Sequence, residues 1–60
     1  MTYRVMAKRK YGKNFQCYRT HEEAKYADNT AKSLTDASWT IAVKIICIDD
    51  NGIRNELIYK

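Results

Sequence analysis

The sequence contains no proline, and its two glycines, Gly12 and Gly52, both fall where a hairpin would turn. It has two cysteines, Cys17 and Cys47, whereas a secreted mini-protein of this size usually carries about four to eight. The longest apolar run covers residues 45–48, far short of the roughly 20 residues that cross a bilayer. Charge appears within the first few residues, which argues against a signal peptide. We therefore expect free thiols, a reducing cytoplasm and no membrane span.

Acidic residues are absent from residues 1–19, although the whole chain carries a net charge of +4. The six basic side chains of this segment are Arg4, Lys8, Arg9, Lys10, Lys13 and Arg19. Such a basic end suits an anionic partner, either nucleic acid or an acidic protein surface. The alternative is a solvated hairpin whose lysines keep an exposed strand edge from pairing with other chains.

Sixty residues suffice for one domain, residues 1–60. A chain this short buries only about 60% of the surface that its unfolded form exposes, so its core is marginal. It cannot both fill a hydrophobic centre and close over a substrate. The apolar fraction of 45% and the charged fraction of 30% are typical of folded proteins. We therefore predict a small binding domain that is not an enzyme.

Alternating apolar and polar residues predict a first strand over residues 2–9, and a loop over 10–14 in which Gly12 adopts a positive φ. A second strand begins at Phe15. Residues 20–23 read as a capping box in which Thr20 caps the helix. The helix then presents small alanines at helical spacing, which lets it lie close to a sheet.

The third strand, residues 39–48, is the strongest element, because its odd positions from Trp39 to Cys47 are all apolar. The turn at residues 49–52 ends in Asn-Gly, the best short hairpin signal, and a fourth strand follows over residues 53–59. We predict an α+β fold, β-β-α-β-β. Its four-stranded antiparallel sheet has strand order 2-1-3-4, and one helix packs on one face.

The even positions of the third strand are also largely apolar, and they include Ala42, Ile46 and Ile48. The fourth strand adds Leu57 or Ile58 to this face, depending on its register. Because one helix covers one face only, the other face is expected to keep exposed apolar surface, which usually marks an interface. A partner protein or a homodimer would cover it; scattered surface aliphatics are the alternative.

Residues that could support chemistry are few. Cys17, Cys47 and His21 do not have metal-ligand spacing, so we expect no metal and no cofactor. Cys17 and His21 could meet across the strand–helix junction, but no orienting group or pocket is apparent. The carboxylates lie at element ends, where they suit caps and turns. We therefore assign no catalytic residue.

Basic and aromatic side chains alternate loosely over residues 9–15. They echo the sheet motif of RNA-recognition domains, although the spacing differs and that fold's second helix is missing. A small sheet-based nucleic-acid-binding module is therefore a second hypothesis. Its affinity would fall steeply with salt, whereas an interface with an apolar centre would weaken far less.

The segment Val43-Lys44-Ile45-Ile46-Cys47-Ile48-Asp49-Asp50, with the short turn and final strand after it, resembles the Dmd (discriminator of mRNA degradation) family of T-even-like bacteriophages. Chain length and element order are also similar. The resemblance implies a phage antitoxin in the host cytoplasm. Such a protein binds a host endoribonuclease toxin of the RnlA/LsoA type and protects phage mRNA by occlusion, without catalytic residues.

Candidate partner-binding residues combine aromatic anchors, basic side chains and aliphatic residues of the third strand. They are Tyr18, Tyr26, Trp39, Arg4, Lys8, Lys10, Ile46 and Ile48. For the three aromatics, ordinary packing is the alternative. Because the chain is basic, we do not expect it to imitate RNA by overall charge. Inhibition would come from steric blocking or from holding the toxin in an inactive state.

Overall fold

The computed structural model describes all 60 residues and contains four strands and one helix. In chain order they are β1 (Thr2–Arg9), β2 (Gln16–His21), α1 (Ala24–Asp36), β3 (Thr40–Ile48) and β4 (Arg54–Ile58). The sheet order is β2-β1-β3-β4, and every neighbouring pair is antiparallel. The structure confirms the α+β prediction and the strand order 2-1-3-4.

The core lies between α1 and the two central strands. Two alanines of α1, Ala27 and Ala31, are fully buried and let the helix approach the sheet closely. The buried sheet residues beneath them are Val5, Ala7, Val43 and Ile45. Because side chains alternate along a strand, the other residues of β1 and β3 point to the opposite face, which no element covers.

The helix begins later than the capping box predicts, so that prediction is wrong. Thr20 belongs to β2, where it lies opposite Arg4. The N-cap is Glu23, and no side chain donates or accepts a hydrogen bond at the cap. Pairing with β1 extends β2 through His21, and this competes with the local cap for the same residues.

Two β-bulges alter the predicted alternation. In β2, Tyr18 is the extra residue opposite β1, between the pairs Val5–Arg19 and Met6–Cys17. In β3, Ile41 is the extra residue. As a result Thr40 is buried and its hydroxyl donates to the carbonyls of Leu34 and Ala37 at 2.7 and 2.9 Å, which closes the end of the helix.

The predicted continuous apolar face of the third strand is therefore interrupted. Val43 and Ile45 are buried, but Ile41 and Trp39 are 46% and 39% exposed. Ile41 is the inserted residue and Thr40 takes the buried position, so the alternation that would have buried both Ile41 and Trp39 is broken. Trp39 is consequently a surface residue with one packed side.

The two glycines have different conformations. Gly52 has φ +82°, while Gly12 does not have a positive φ, contrary to the prediction. The Gly52 amide donates to the Asp49 carbonyl at 3.0 Å, and the Asp49 carboxylate accepts from the amides of Asn51 and Ile53 at 2.9 Å. This is a turn closed by a left-handed glycine, which joins β3 to β4 and sets the register of β4.

Gly52→Ala is expected to lower the free energy of unfolding by about 1 kcal/mol, because a side chain disfavours the left-handed conformation even in open space. Urea denaturation measures the change. Gly12→Ala is the matched control, since its φ is ordinary and its added Cβ meets nothing closer than 3.4 Å. Equal losses for the two variants would contradict this account of the turn.

Tyr59 ties the end of the chain to the helix. Its hydroxyl donates to the Asp28 carboxylate at 2.6 Å. This hydrogen bond, with partial burial, raises the pKa of Tyr59 from 10.0 to about 12. The same bond, together with one from Lys32, lowers the pKa of Asp28. The pair therefore stabilises the folded chain only while Tyr59 is protonated and Asp28 is ionised.

Because the folded pKa of Tyr59 lies above its unfolded value, its contribution is complete below about pH 10 and disappears as the pH rises towards 12. Tyr59→Phe should remove this alkaline loss, as seen in the difference between mutant and wild-type unfolding free energies across that range. Tyr11→Phe serves as the control, since Tyr11 is 90% exposed. An unchanged alkaline profile in Tyr59→Phe would contradict the assignment.

Candidate binding surfaces

The face of the sheet opposite α1, here called the helix-free face, combines apolar and basic side chains from all four strands. Its apolar members are Met6, Ala42, Ile46, Ile48 and Ile58, together with Phe15, which immediately precedes β2 and packs against Lys44. Its charged members are Arg4, Lys8, Lys44, Arg54 and Glu56. No helix or loop lies over either set, so both are available to a partner.

The strand register interleaves the two kinds of side chain. Ile46 lies between Arg4 on β1 and Glu56 on β4. One row nearer the β3–β4 turn, Ile48 lies opposite Arg54. Directly opposite residues of antiparallel strands share a face, so each aliphatic side chain that β3 places on this face has a charged neighbour. The face is a mosaic of both types, in which the aliphatic residues of β3 are half-buried and Ile58 is exposed.

Lys44 lies in the middle of the helix-free face and contacts side chains on both sides of it. Its Nζ lies 3.3 Å from both carboxylate oxygens of Glu56 and 4.3 Å from the ring centroid of Phe15. The lysine side chain is only 18% exposed, so its aliphatic stem forms part of the surface. A lysine that pairs with both a carboxylate and a ring is oriented by them, and it covers Phe15.

The other basic residues of the helix-free face are unpaired. Arg4, Lys8 and Arg54 form no ion pair, and Glu56 is the sole acidic residue that the strands place on this face. With four basic side chains against one acidic one, the face carries a positive potential. This potential favours approach by an acidic surface.

A second surface, here called the aromatic groove, lies at one end of the sheet on the helix side. It is an open groove of about 750 Å³ lined by Arg9, Lys10, Tyr11, Gly12, Ser38 and Trp39. The Lys10 amide donates to the Trp39 carbonyl at 2.8 Å, and the Gly12 amide donates to the Arg9 carbonyl at 2.9 Å. The first bond holds the β1–β2 turn against the segment that precedes β3, and the second closes the turn itself.

Trp39 is held in place by two neighbours. The Tyr18 ring packs against it at a centroid distance of 5.4 Å and a tilt of 49°. The Arg9 guanidinium lies 5.4 Å from the Trp39 centroid, and its Nε donates to the Tyr18 hydroxyl at 3.2 Å. The bulge at Tyr18 produces this contact, because it directs Tyr18 to the helix side of the sheet.

The candidate residues from the sequence are divided among three places. Arg4, Lys8, Ile46 and Ile48 lie together on the helix-free face, as their positions in β1 and β3 predict. The others lie elsewhere: Lys10 and Trp39 line the aromatic groove, Tyr18 supports Trp39, and Tyr26 is an exposed residue of α1.

The list of partner-binding candidates from the sequence lacks several residues that these surfaces include. Lys44 and Arg54 of the helix-free face are missing from it, Ile58 was left open against Leu57, and Arg9 and Tyr11 of the groove were noted only as part of the basic and aromatic stretch. Arg9 and Tyr11 belong to the basic and aromatic stretch of residues 9–15, and the composition of that stretch is the sequence feature that could have identified them as binding residues. The choice of Ile58 over Leu57 required the register of β4.

Cys17 and His21 do not come together. Cys17 lies opposite Met6 on the helix-free face, while His21 contacts the Thr30 hydroxyl of α1 at 2.9 Å. Both cysteines are free thiols, and no group of three or more His, Cys, Asp or Glu side chains is arranged to hold a metal ion. The helix of this chain is too short and polar to cross a membrane.

Comparison with known protein families, curated proteins and solved structures found no match to this chain.

Proposed function

We propose that this chain is a stoichiometric protein-binding domain and that its helix-free face docks the partner. The observation that carries the proposal is the combination of uncovered aliphatic side chains and unpaired basic ones on a single rigid sheet. Ile58 is 70% exposed there, beside half-buried Ile46 and Ile48. An apolar patch rimmed by charge is typical of protein interfaces.

The partner that we propose is a host endoribonuclease toxin, which makes the chain a bacteriophage antitoxin of the host cytoplasm. The resemblance to the Dmd family motivates this choice. Occlusion of a toxin requires a binding face and no catalytic group, and the helix-free face provides the former. The protected molecule would be phage mRNA.

The charge of the helix-free face determines the kind of surface it fits. Arg4, Lys8 and Arg54 need acidic counterparts at the rim of the partner's site, around an apolar centre that meets Ile46, Ile48 and Ile58. A cleft that grips RNA is basic and would repel this face. The chain therefore blocks its toxin from an acidic patch outside that cleft, or holds the toxin in an inactive state.

A second copy of the chain fits this face less well. A symmetric dimer would bring two helix-free faces together, and each presents four basic side chains and one acidic one. Like charges in opposition are destabilising. A separate partner is also feasible in area, since a standard interface needs roughly 800 Å² per partner, against a total accessible surface of 4304 Å².

Ile58 and Leu57 provide a direct test, because they are adjacent in β4 and point to opposite faces. Ile58 lies on the helix-free face opposite Lys44, and Leu57 lies on the helix side opposite Ile45. Ile58→Asp should weaken toxin binding about tenfold or more, since a carboxylate would replace the apolar contact of Ile58 and would face the acidic rim proposed for the toxin. Titration calorimetry with the purified toxin, and an RNA cleavage assay, measure the effect.

Leu57→Asp is the matched control, because Leu57 is also exposed, at 52%, and is expected to tolerate the same change without loss of toxin binding. Circular dichroism checks that both variants fold. Failure of the wild-type chain to bind the toxin would overturn the proposed partner. Equal weakening by both variants would overturn the proposed face.

Neutralising Arg4 and Lys8 together to Gln should slow association with the toxin several-fold and flatten its dependence on salt, with little change in dissociation. Stopped-flow kinetics at two ionic strengths measures this. Lys25→Gln with Lys32→Gln removes the same charge from α1, where each lysine already pairs with a carboxylate, and should change association less. A faster association after removal of Arg4 and Lys8 would show that the toxin surface is basic.

A further inference from the structure

We infer that the aromatic groove binds a short segment of single-stranded nucleic acid. The groove lies at the end of the sheet on the helix side, whereas the proposed partner face is the other side of the sheet. The inference therefore does not depend on the proposed function. It rests on exposed aromatic rings, unpaired cationic side chains and a concave shape that occur together at one place.

The groove presents two aromatic rings to solvent. Trp39 leaves 39% of its surface exposed while Tyr18 and Arg9 fix its orientation. Tyr11 is 90% exposed, and its hydroxyl makes no hydrogen bond within the chain. The Lys10 Nζ lies 5.8 Å from the Tyr11 ring centroid. Tyr11 thus contributes little to folding and is available to stack on a base.

The charges of the groove match a phosphate backbone. Arg9 and Lys10 both line it, neither forms an ion pair, and no acidic residue is among its lining residues. Each exposed ring has a cationic side chain beside it, so the ring can stack on a base while the cation contacts the phosphate of the same nucleotide. The backbone bond from Lys10 to Trp39 fixes the two sides of the groove before a ligand arrives.

The size and chemistry of the groove select an unpaired strand. The groove is largely open to solvent and is lined by six residues, so it suits one or two nucleotides of a strand that lies across it. Rings stack on bases that have left the duplex, because bases within a helix already stack on one another. The helix-free face offers no comparable pair of exposed rings, since its one ring, Phe15, is half-buried against Lys44.

Trp39 is the only tryptophan of the chain, so its fluorescence reports on the groove directly. We would titrate the chain with oligouridylate and with oligothymidylate of about ten nucleotides, a length within the usual range of single-strand sites. Quenching of Trp39 that saturates and weakens as salt rises is expected for both strands. Preference for one of them would show whether the groove reads the 2′-hydroxyl.

The chain contains a matched control for the groove. Lys25 lies 5.0 Å from the Tyr26 ring on α1, which repeats the Lys10–Tyr11 arrangement on a convex surface. Tyr11→Ala is expected to weaken oligonucleotide binding about tenfold, and Tyr26→Ala to leave it unchanged. Lys10→Gln should lower the salt dependence of binding, and Lys25→Gln should not.

Absence of Trp39 quenching up to about 100 µM oligonucleotide at low salt, the weak end of non-specific binding, would overturn the inference. Equal weakening by Tyr11→Ala and Tyr26→Ala would also overturn it, since binding would then follow overall charge. Ile58→Asp, which changes only the helix-free face, should leave Trp39 quenching intact. A negative result for nucleic-acid binding in the groove can therefore be distinguished from a negative result for toxin binding on the helix-free face.

Discussion

One helix of 13 residues can cover one side of a four-stranded sheet and no more. This constraint shapes the rest of the molecule. Ala27 and Ala31 bring α1 close to β1 and β3, and the core consists of six small or branched residues. No helix shields the opposite side of the sheet, which includes three isoleucines. These residues can be shielded from water only by neighbouring side chains or by a second molecule.

The chain meets this constraint by mixing charge into the uncovered side. On this side, Ala42, Ile46 and Ile48 of β3 each lie opposite a charged residue, and Lys44 lies over Phe15. Basic neighbours keep an open face soluble and discourage self-association, because identical faces repel. Under the proposed function, the same charges would select a partner with an acidic rim.

The β-bulges create the second surface. Without the extra residue at Tyr18, β2 would continue its alternation and Tyr18 would not reach Trp39. Without the extra residue at Ile41, Thr40 would not occupy the buried position that closes α1. Bulges often lie next to functional sites because they redirect side chains. Here they leave Trp39 at the surface, where it lines the aromatic groove.

The sequence predicts the architecture well because hydrophobic periodicity and turn residues carry that information. The alternation in β1 and β3, the alanine spacing of α1 and the turn before Gly52 are all found in the structure. The bulges, the start of α1 and the conformation of Gly12 were not predictable, since each depends on which residue pairs across the sheet. Assembly of the groove from Arg9, Tyr11 and Trp39 depends on the same pairings.

The uncovered side of the sheet is the central element of the proposed function, and isoleucine methyl groups can report on it without any mutation. In a chain with labelled isoleucine methyls, added unlabelled toxin should shift or broaden the signals of Ile46, Ile48 and Ile58, which lie on the helix-free face. Buried Ile45, on the helix side, should change little. Changes confined to Ile45, or none at all, would contradict the proposal that this face docks the toxin.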